Sequence, residues 1–173
     1  MGKELEHAGY SVRGIANWVL DYSESYGYSQ TNMALNKLVF FVIEAVLLNS
    51  GKLLTNAKIE AWDHGPVFRE VYHDFKGFGD RPIEGRASFF STRSGQLERA
   101  QVALCPEDES EIASVLRPLI PMSASQLRAL SHVENGAWDR VWSYDGFANP
   151  GMEITPEIML AAAARRGDAD EDG

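Results

Sequence analysis

A mainly α, compact single-domain helical bundle with a small β-hairpin or short antiparallel sheet is predicted from three observations. Apolar residues recur at helical spacing in several segments, Gly-Pro and Ser-Gly turn signals separate short extended candidates, and 173 residues suit one core. The count is about five or six helices with two or three short strands.

From Val12, the residues Val12, Ile15, Ala16, Val19 and Leu20 fall on one side of a helix and Arg13, Asn17 and Asp21 on the other. This first helix is expected to stop near Gly27. Thr31 or Asn32 can then accept free N–H groups at the start of a second helix over residues 33–48. It is apolar on nearly every side over residues 38–43, as expected of a helix surrounded by others. After the turn signal Asn49-Ser50-Gly51 come Leu53-Leu54 and an extended candidate, Ile59-Glu60-Ala61-Trp62. Gly65-Pro66 marks a chain reversal, because proline fixes its own φ and suits the first turn of a following helix over residues 67–76. That helix turns Phe68, Val71, Tyr72 and Phe75 inward and Arg69, Glu70, His73 and Lys76 outward.

Residues 77–86 read as a loop. Residues 89–92 and 101–104 are β-capable, and Ser94-Gly95 can turn a hairpin between them, although the polar run 96–99 fits such strands poorly. A helix over residues 107–116 carries acids at its positive dipole end. Ser123 and Gln126 form a capping box that opens a helix to about Val133. Thr155-Pro156-Glu157 starts a last helix to about Arg165, and the Asp- and Glu-rich residues 167–173 are expected to be disordered.

Sixteen basic against twenty-five acidic side chains give a net charge of −9, the wrong sign for gripping a phosphate backbone, and no segment reads as a basic recognition helix with a partner. Nucleic-acid binding by this chain alone is therefore not expected. The longest apolar run, residues 38–48, contains Glu44 and falls short of the roughly 20 residues of a membrane span. Residues 1–9 are polar and hold no secretory signal, so the cytoplasm is expected and membrane association is not.

Catalytic motifs are missing. None of His7, His64, His73 and His132 has the spacing of an H-E-x-x-H zinc site, and a single thiol, Cys105, disfavours a structural one. Gly77-Phe78-Gly79 follows a helix where a dinucleotide fingerprint needs a strand, and neither a P-loop nor a nucleophile elbow occurs. No catalytic residue, metal or cofactor is expected. Lys37 sits within the most apolar helix and has two readings. It is a buried ammonium held by a carboxylate such as Glu44 or Glu60, or a stem packed on apolar neighbours with its head in water; the second is favoured because fully buried lysine is rare. Trp and Arg are common interface anchors, and Trp138-Asp139-Arg140-Val141-Trp142 places both on one short segment. Of Trp18, Trp62, Trp138 and Trp142, at least two are expected in the core.

The order of segments is itself informative. Leu35-Asn36-Lys37-Leu38-Val39-Phe40-Phe41, then Ile59-Glu60-Ala61-Trp62 through His64-Gly65-Pro66-Val67 to Tyr72 and Phe75-Lys76, resembles the Panacea antitoxin domain of SocA-like and GepA-like proteins. Ser123 to Gln126, Leu127, Ser131-His132 and Gly136-Ala137-Trp138 resemble that domain's C-terminal half. Ala137 stands where the family tends to have proline, and His64 where another residue often precedes Gly-Pro. The resemblance runs from about Val12 to Trp142 and frames a polar segment over residues 1–10, the domain over residues 11–166 and an acidic tail over residues 167–173.

The resemblance implies an antitoxin that neutralises a cognate toxin, usually encoded beside it, by direct protein–protein binding. Partner-binding candidates are Trp62, His64, Arg69, Trp138, Arg140 and Trp142, with Lys37, Gly65 and Pro66 structural. An acidic protein suits a basic toxin, since opposite potentials speed encounter. The SocA-like branch also implies a proteolytic adaptor that delivers the toxin to the ClpXP protease, with the acidic tail or the polar N-terminus as tether, although its composition favours a solvating tail. The weakest alternative is an enzyme acting on a toxin product through Asp63 and His64.

Overall fold

The computed structural model describes residues 4–171 and their side chains up to residue 167. Among the described residues the helices are α1 (Val12–Ser25), α2 (Asn32–Ser50), α3 (Arg69–Phe75), α4 (Pro106–Leu116), α5 (Ala124–Ser131), α6 (Ala137–Trp142) and α7 (Pro156–Glu171). The strands are β1 (Glu6–His7), β2 (Lys52–Leu53), β3 (Glu60–Trp62), β4 (Gly65–Val67), β5 (Ser88–Ser91) and β6 (Gln96–Arg99). They pair as parallel β1–β2 and as two antiparallel hairpins, β3–β4 and β5–β6. The mainly α prediction holds.

Helix α2 is the axis. The Thr31 hydroxyl accepts the Ala34 N–H at its start, and Gly51, at φ +68°, ends it in the left-handed conformation that favours glycine. Leu35, Leu38, Val39, Val42, Ile43 and Val46 are wholly buried, enclosed by α1, α3, α4, α5 and α7. By length and composition α2 could cross a membrane, but here it is the buried centre of the core. The Ser123–Gln126 capping box forms as predicted, with both reciprocal hydrogen bonds.

Four segments depart from the expectations. Gly65 and Pro66 do not turn the chain into a helix. They form strand β4, and the reversal falls one step earlier at Asp63-His64, because Trp62 pairs directly with Gly65. Proline is tolerated there since β4 is an edge strand that needs no N–H at that position. The second hairpin uses the polar run Gln96–Arg99 rather than residues 101–104: both faces of β6 are exposed, so polar side chains cost nothing. Asn17, expected on the outer side of α1, is 2% exposed and holds the base of that hairpin. It donates to the Ala87 and Ala100 carbonyls at 2.9 and 2.8 Å and accepts the Ala87 N–H at 2.8 Å. Finally, α7 runs on to Glu171, where disorder is expected from Gly167, since one glycine costs a helix only about 1 kcal/mol. Residues 172–173 of that acidic tail, and residues 1–3 of the polar N-terminal segment, lie outside the described residues.

Candidate functional site

The family-like segments 35–41, 59–67 and 123–138, distant in sequence, meet around the β3–β4 hairpin. From α2, the Lys37 ammonium donates to the Pro66 carbonyl at 3.0 Å, and the Asn36 side chain accepts the Phe68 N–H at 2.9 Å. From α6, the Trp138 indole N–H donates to the Trp62 carbonyl at 2.8 Å. Just after α5, His132 faces the Asp63 carbonyl with Nε2 at 3.2 Å and the Arg128 carbonyl with Nδ1 at 2.7 Å. The outer edge of β3 is covered by the segment before α7, where Ala61 N–H donates to Met152 and Gly151 N–H donates back to Ala61. The turn Asp63-His64 is thus presented from a firmly held base.

Gly65 is required at the meeting point. Its φ is +109°, and a Cβ there would lie 2.5 Å from Lys37 Cε and 2.7 Å from Ser131 Oγ. Lys37, Gly65 and Pro66, expected as structural residues, meet at this contact. Both earlier readings of Lys37 need correction: its head does not reach water, since the residue is 1% exposed, and its partner is a carbonyl rather than Glu44 or Glu60. Its Cε packs directly under Gly65, which holds the stem against the hairpin backbone. Burial pushes its amine down to about 7, and the Arg128 charge adds to the effect.

Glu60, 4% exposed, is committed elsewhere. It accepts the Trp62 indole N–H at 2.9 Å and Arg69 Nη2 at 3.0 Å. Burial pushes its carboxyl up, but these hydrogen bonds and the Arg69 and Lys58 charges outweigh burial and hold it below the usual carboxylate range.

The six candidate partner-binding residues form two groups. At the hairpin, Trp62 is half-buried with its edge on Tyr72 at 4.8 Å, whereas His64 and Arg69 are exposed. On α6, Trp138 is 6% exposed and serves as the bridge to the hairpin, so it is not a surface anchor. Trp142 stacks on it at 5.4 Å, and Arg140 borders a shallow pocket with Tyr144 and Ile158. Of the four tryptophans only Trp138 belongs to the buried core; Trp18, Trp62 and Trp142 are half-buried, because each lies at the margin of the bundle. Sequence reasoning missed the exposed Tyr144 and Phe147 next to α6. Aromatics within the polar stretch Ser143-Tyr144-Asp145-Gly146-Phe147 were the available signal.

A cleft of about 320 Å³ opens beside the hairpin, lined by Asn36, Lys37, Trp62, His64, Tyr72 and Lys76 among others. Asp63 and His64 approach to 3.6 Å at its rim and both are exposed; the hydrogen bond that His132 makes there goes to the Asp63 backbone carbonyl and not to either side chain of the pair. Among the described residues, no three His, Cys, Asp or Glu side chains gather as metal ligands.

The family described as antitoxin SocA-like, Panacea domain, matches residues 35–139, which span the hairpin, most of the cleft lining and Trp138. The chain is 35% identical over 147 residues to Antitoxin SocA of Caulobacter vibrioides (strain NA1000 / CB15N), a match covering 83% of this chain and 76% of that protein. No solved structure matches.

Proposed function

Because this chain belongs to the SocA-like antitoxins with a Panacea domain, we propose that it neutralises its toxin by binding it directly through the face built on the β3–β4 hairpin and α6. The observation that carries this reading is the fastening of the exposed Asp63-His64 turn by α2, His132 and α6. A surface held in place before binding loses little conformational freedom when a partner docks. His64, Arg69, Arg140 and Trp142 supply the polar and aromatic contacts, while Trp62 and Trp138 set the spacing beneath them. In this reading the protein works in the cytoplasm beside its toxin, binds no nucleic acid by itself and makes no bonds of its own.

Co-expression with the product of the neighbouring gene tests it: growth is rescued and a stable complex elutes on gel filtration. His64→Glu combined with Arg140→Glu weakens the complex at least tenfold without unfolding the protein. A complex of unchanged affinity contradicts the placement of the face, and the absence of any complex contradicts direct binding.

A second reading, delivery of the toxin to ClpXP, draws support from the likeness to Antitoxin SocA and from an acid-rich α7 reaching Glu171. It predicts that the toxin's half-life lengthens when the antitoxin or the protease is deleted. Direct occlusion leaves the half-life unchanged.

A further inference from the structure

Lys37 is a fully buried ammonium with a single hydrogen-bond partner, the Pro66 carbonyl, although the group carries three donors. Among the described residues no carboxylate acts on it. The charge that does is Arg128, of the same sign. The groups around it are otherwise committed or turned away. Glu60 is taken by Trp62 and Arg69, Glu44 faces the Arg166 charge, and His132 faces carbonyls. Asp63 and Asp80 at the rim are exposed, as are His64 and Lys76. A buried cation without a counter-ion is unfavourable, and the Lys37 side chain lies in the wall of an open cleft whose lining also includes Trp62, Val67 and Tyr72 and the amides Asn32 and Asn36.

Resting on the reading that this face meets a protein partner, we propose that the cleft is a carboxylate-binding site, filled by a glutamate or aspartate side chain of that partner, which pairs with the Lys37 ammonium. The buried amine lies beside Trp62, Val67 and Tyr72, with Lys76 and His64 exposed at the rim and the Asn36 amide donating to Asn32, which suits a singly charged planar group on an aliphatic stem; a phosphate would call for several converging donors. Entry of the carboxylate supplies the missing counter-ion and the second hydrogen bond together. With the cleft empty, burial holds the amine near 7, so pairing above that pH takes up a proton and raises the midpoint of Lys37 towards that of an ordinary lysine.

The test uses the full chain with lysine labelled at Cε by carbon-13 and pH titrations followed by NMR. The probe is glutamate blocked at both backbone ends, N-acetyl-glutamate amide, with N-acetyl-glutamine amide as the neutral control. The expected result is a rise of about one pH unit or more in the Lys37 midpoint with saturating glutamate probe, a tenfold gain in proton affinity, and no rise with the control. Equal midpoints with both probes overturn the proposal. Lys37→Met, of similar length and volume, assigns the signal and is expected to abolish probe binding; binding that survives in the folded variant also overturns it. A midpoint that stays fixed while the toxin still binds removes the cleft site and leaves the antitoxin reading standing. A midpoint that responds in a chain that binds no toxin supports the site and removes that reading instead.

Discussion

The Trp138 indole N–H donates to the carbonyl of Trp62 at 2.8 Å across 76 residues of sequence, tying α6 to the tip of the β3–β4 hairpin. Trp138 is also stacked against Trp142 and lies on His132, so one side chain joins α5, α6 and the hairpin. Trp138→Phe keeps an aromatic ring but loses the donor and part of the indole volume, and is expected to cost about 1–2 kcal/mol. Trp138→Ala also leaves a cavity and is expected to cost about 3–5 kcal/mol. Urea denaturation of the two variants separates the terms.

Gly65→Ala places a methyl group within 2.7 Å of both Lys37 Cε and Ser131 Oγ at a φ of +109°. Destabilisation of about 2 kcal/mol or more is expected, together with weaker toxin binding, because the hairpin must lift from α2 and α5. Gly77→Ala, where an added Cβ meets nothing within 4 Å, is the control and is expected to change stability by about 0.5 kcal/mol or less.

Burial lowers the folded-state midpoint of Lys37 to about 7 from 10.5. Between those values the unfolded chain binds more protons, so this residue makes stability rise with pH, by up to roughly 1.4 kcal/mol per unit. Below pH 7 both states hold the proton and the penalty is constant. The stability of the wild type relative to Lys37→Met should therefore climb from pH 7 to pH 10; a flat difference in denaturation midpoints contradicts a buried, uncompensated amine.

Glu60 shows the opposite sign. Its folded-state carboxyl is held below the usual 4.5, so its contribution is present above that pH and is lost as pH falls through the depressed value. Glu60→Gln is expected to cost about 1–3 kcal/mol at neutral pH, since Trp62 and Arg69 lose a charged acceptor, and to flatten the acid limb of the stability profile.

Helical periodicity and caps made most of the bundle legible. The all-round apolar character of α2 marks a central helix, and the Ser123–Gln126 box marks the start of α5. What escaped depends on contacts distant in sequence. Asn17 looks like a surface residue of α1 until Ala87 and Ala100, 70 and 83 residues away, arrive to use its amide. Gly65-Pro66 carries the same local preferences in a turn as in an edge strand, and only pairing with Ala61 and Trp62 decides between them. At the candidate site, the motif residues Lys37, Gly65, Pro66 and Trp138 were identifiable by type and order, yet their roles were not. Lys37 was expected to reach water, and Trp138 to lie at an interface. Burial of each is decided by a neighbour that local sequence does not reveal.

Direct neutralisation requires a rigid hairpin face that grips another polypeptide. Its most direct test is the affinity of the purified chain for the product of the neighbouring gene, measured by titration calorimetry with the wild type and with His64→Glu/Arg140→Glu. A one-to-one or other fixed-ratio complex that the double variant weakens at least tenfold, with its fold intact, is the expected result. Equal affinity of the two proteins, or neutralisation without any complex, would contradict it.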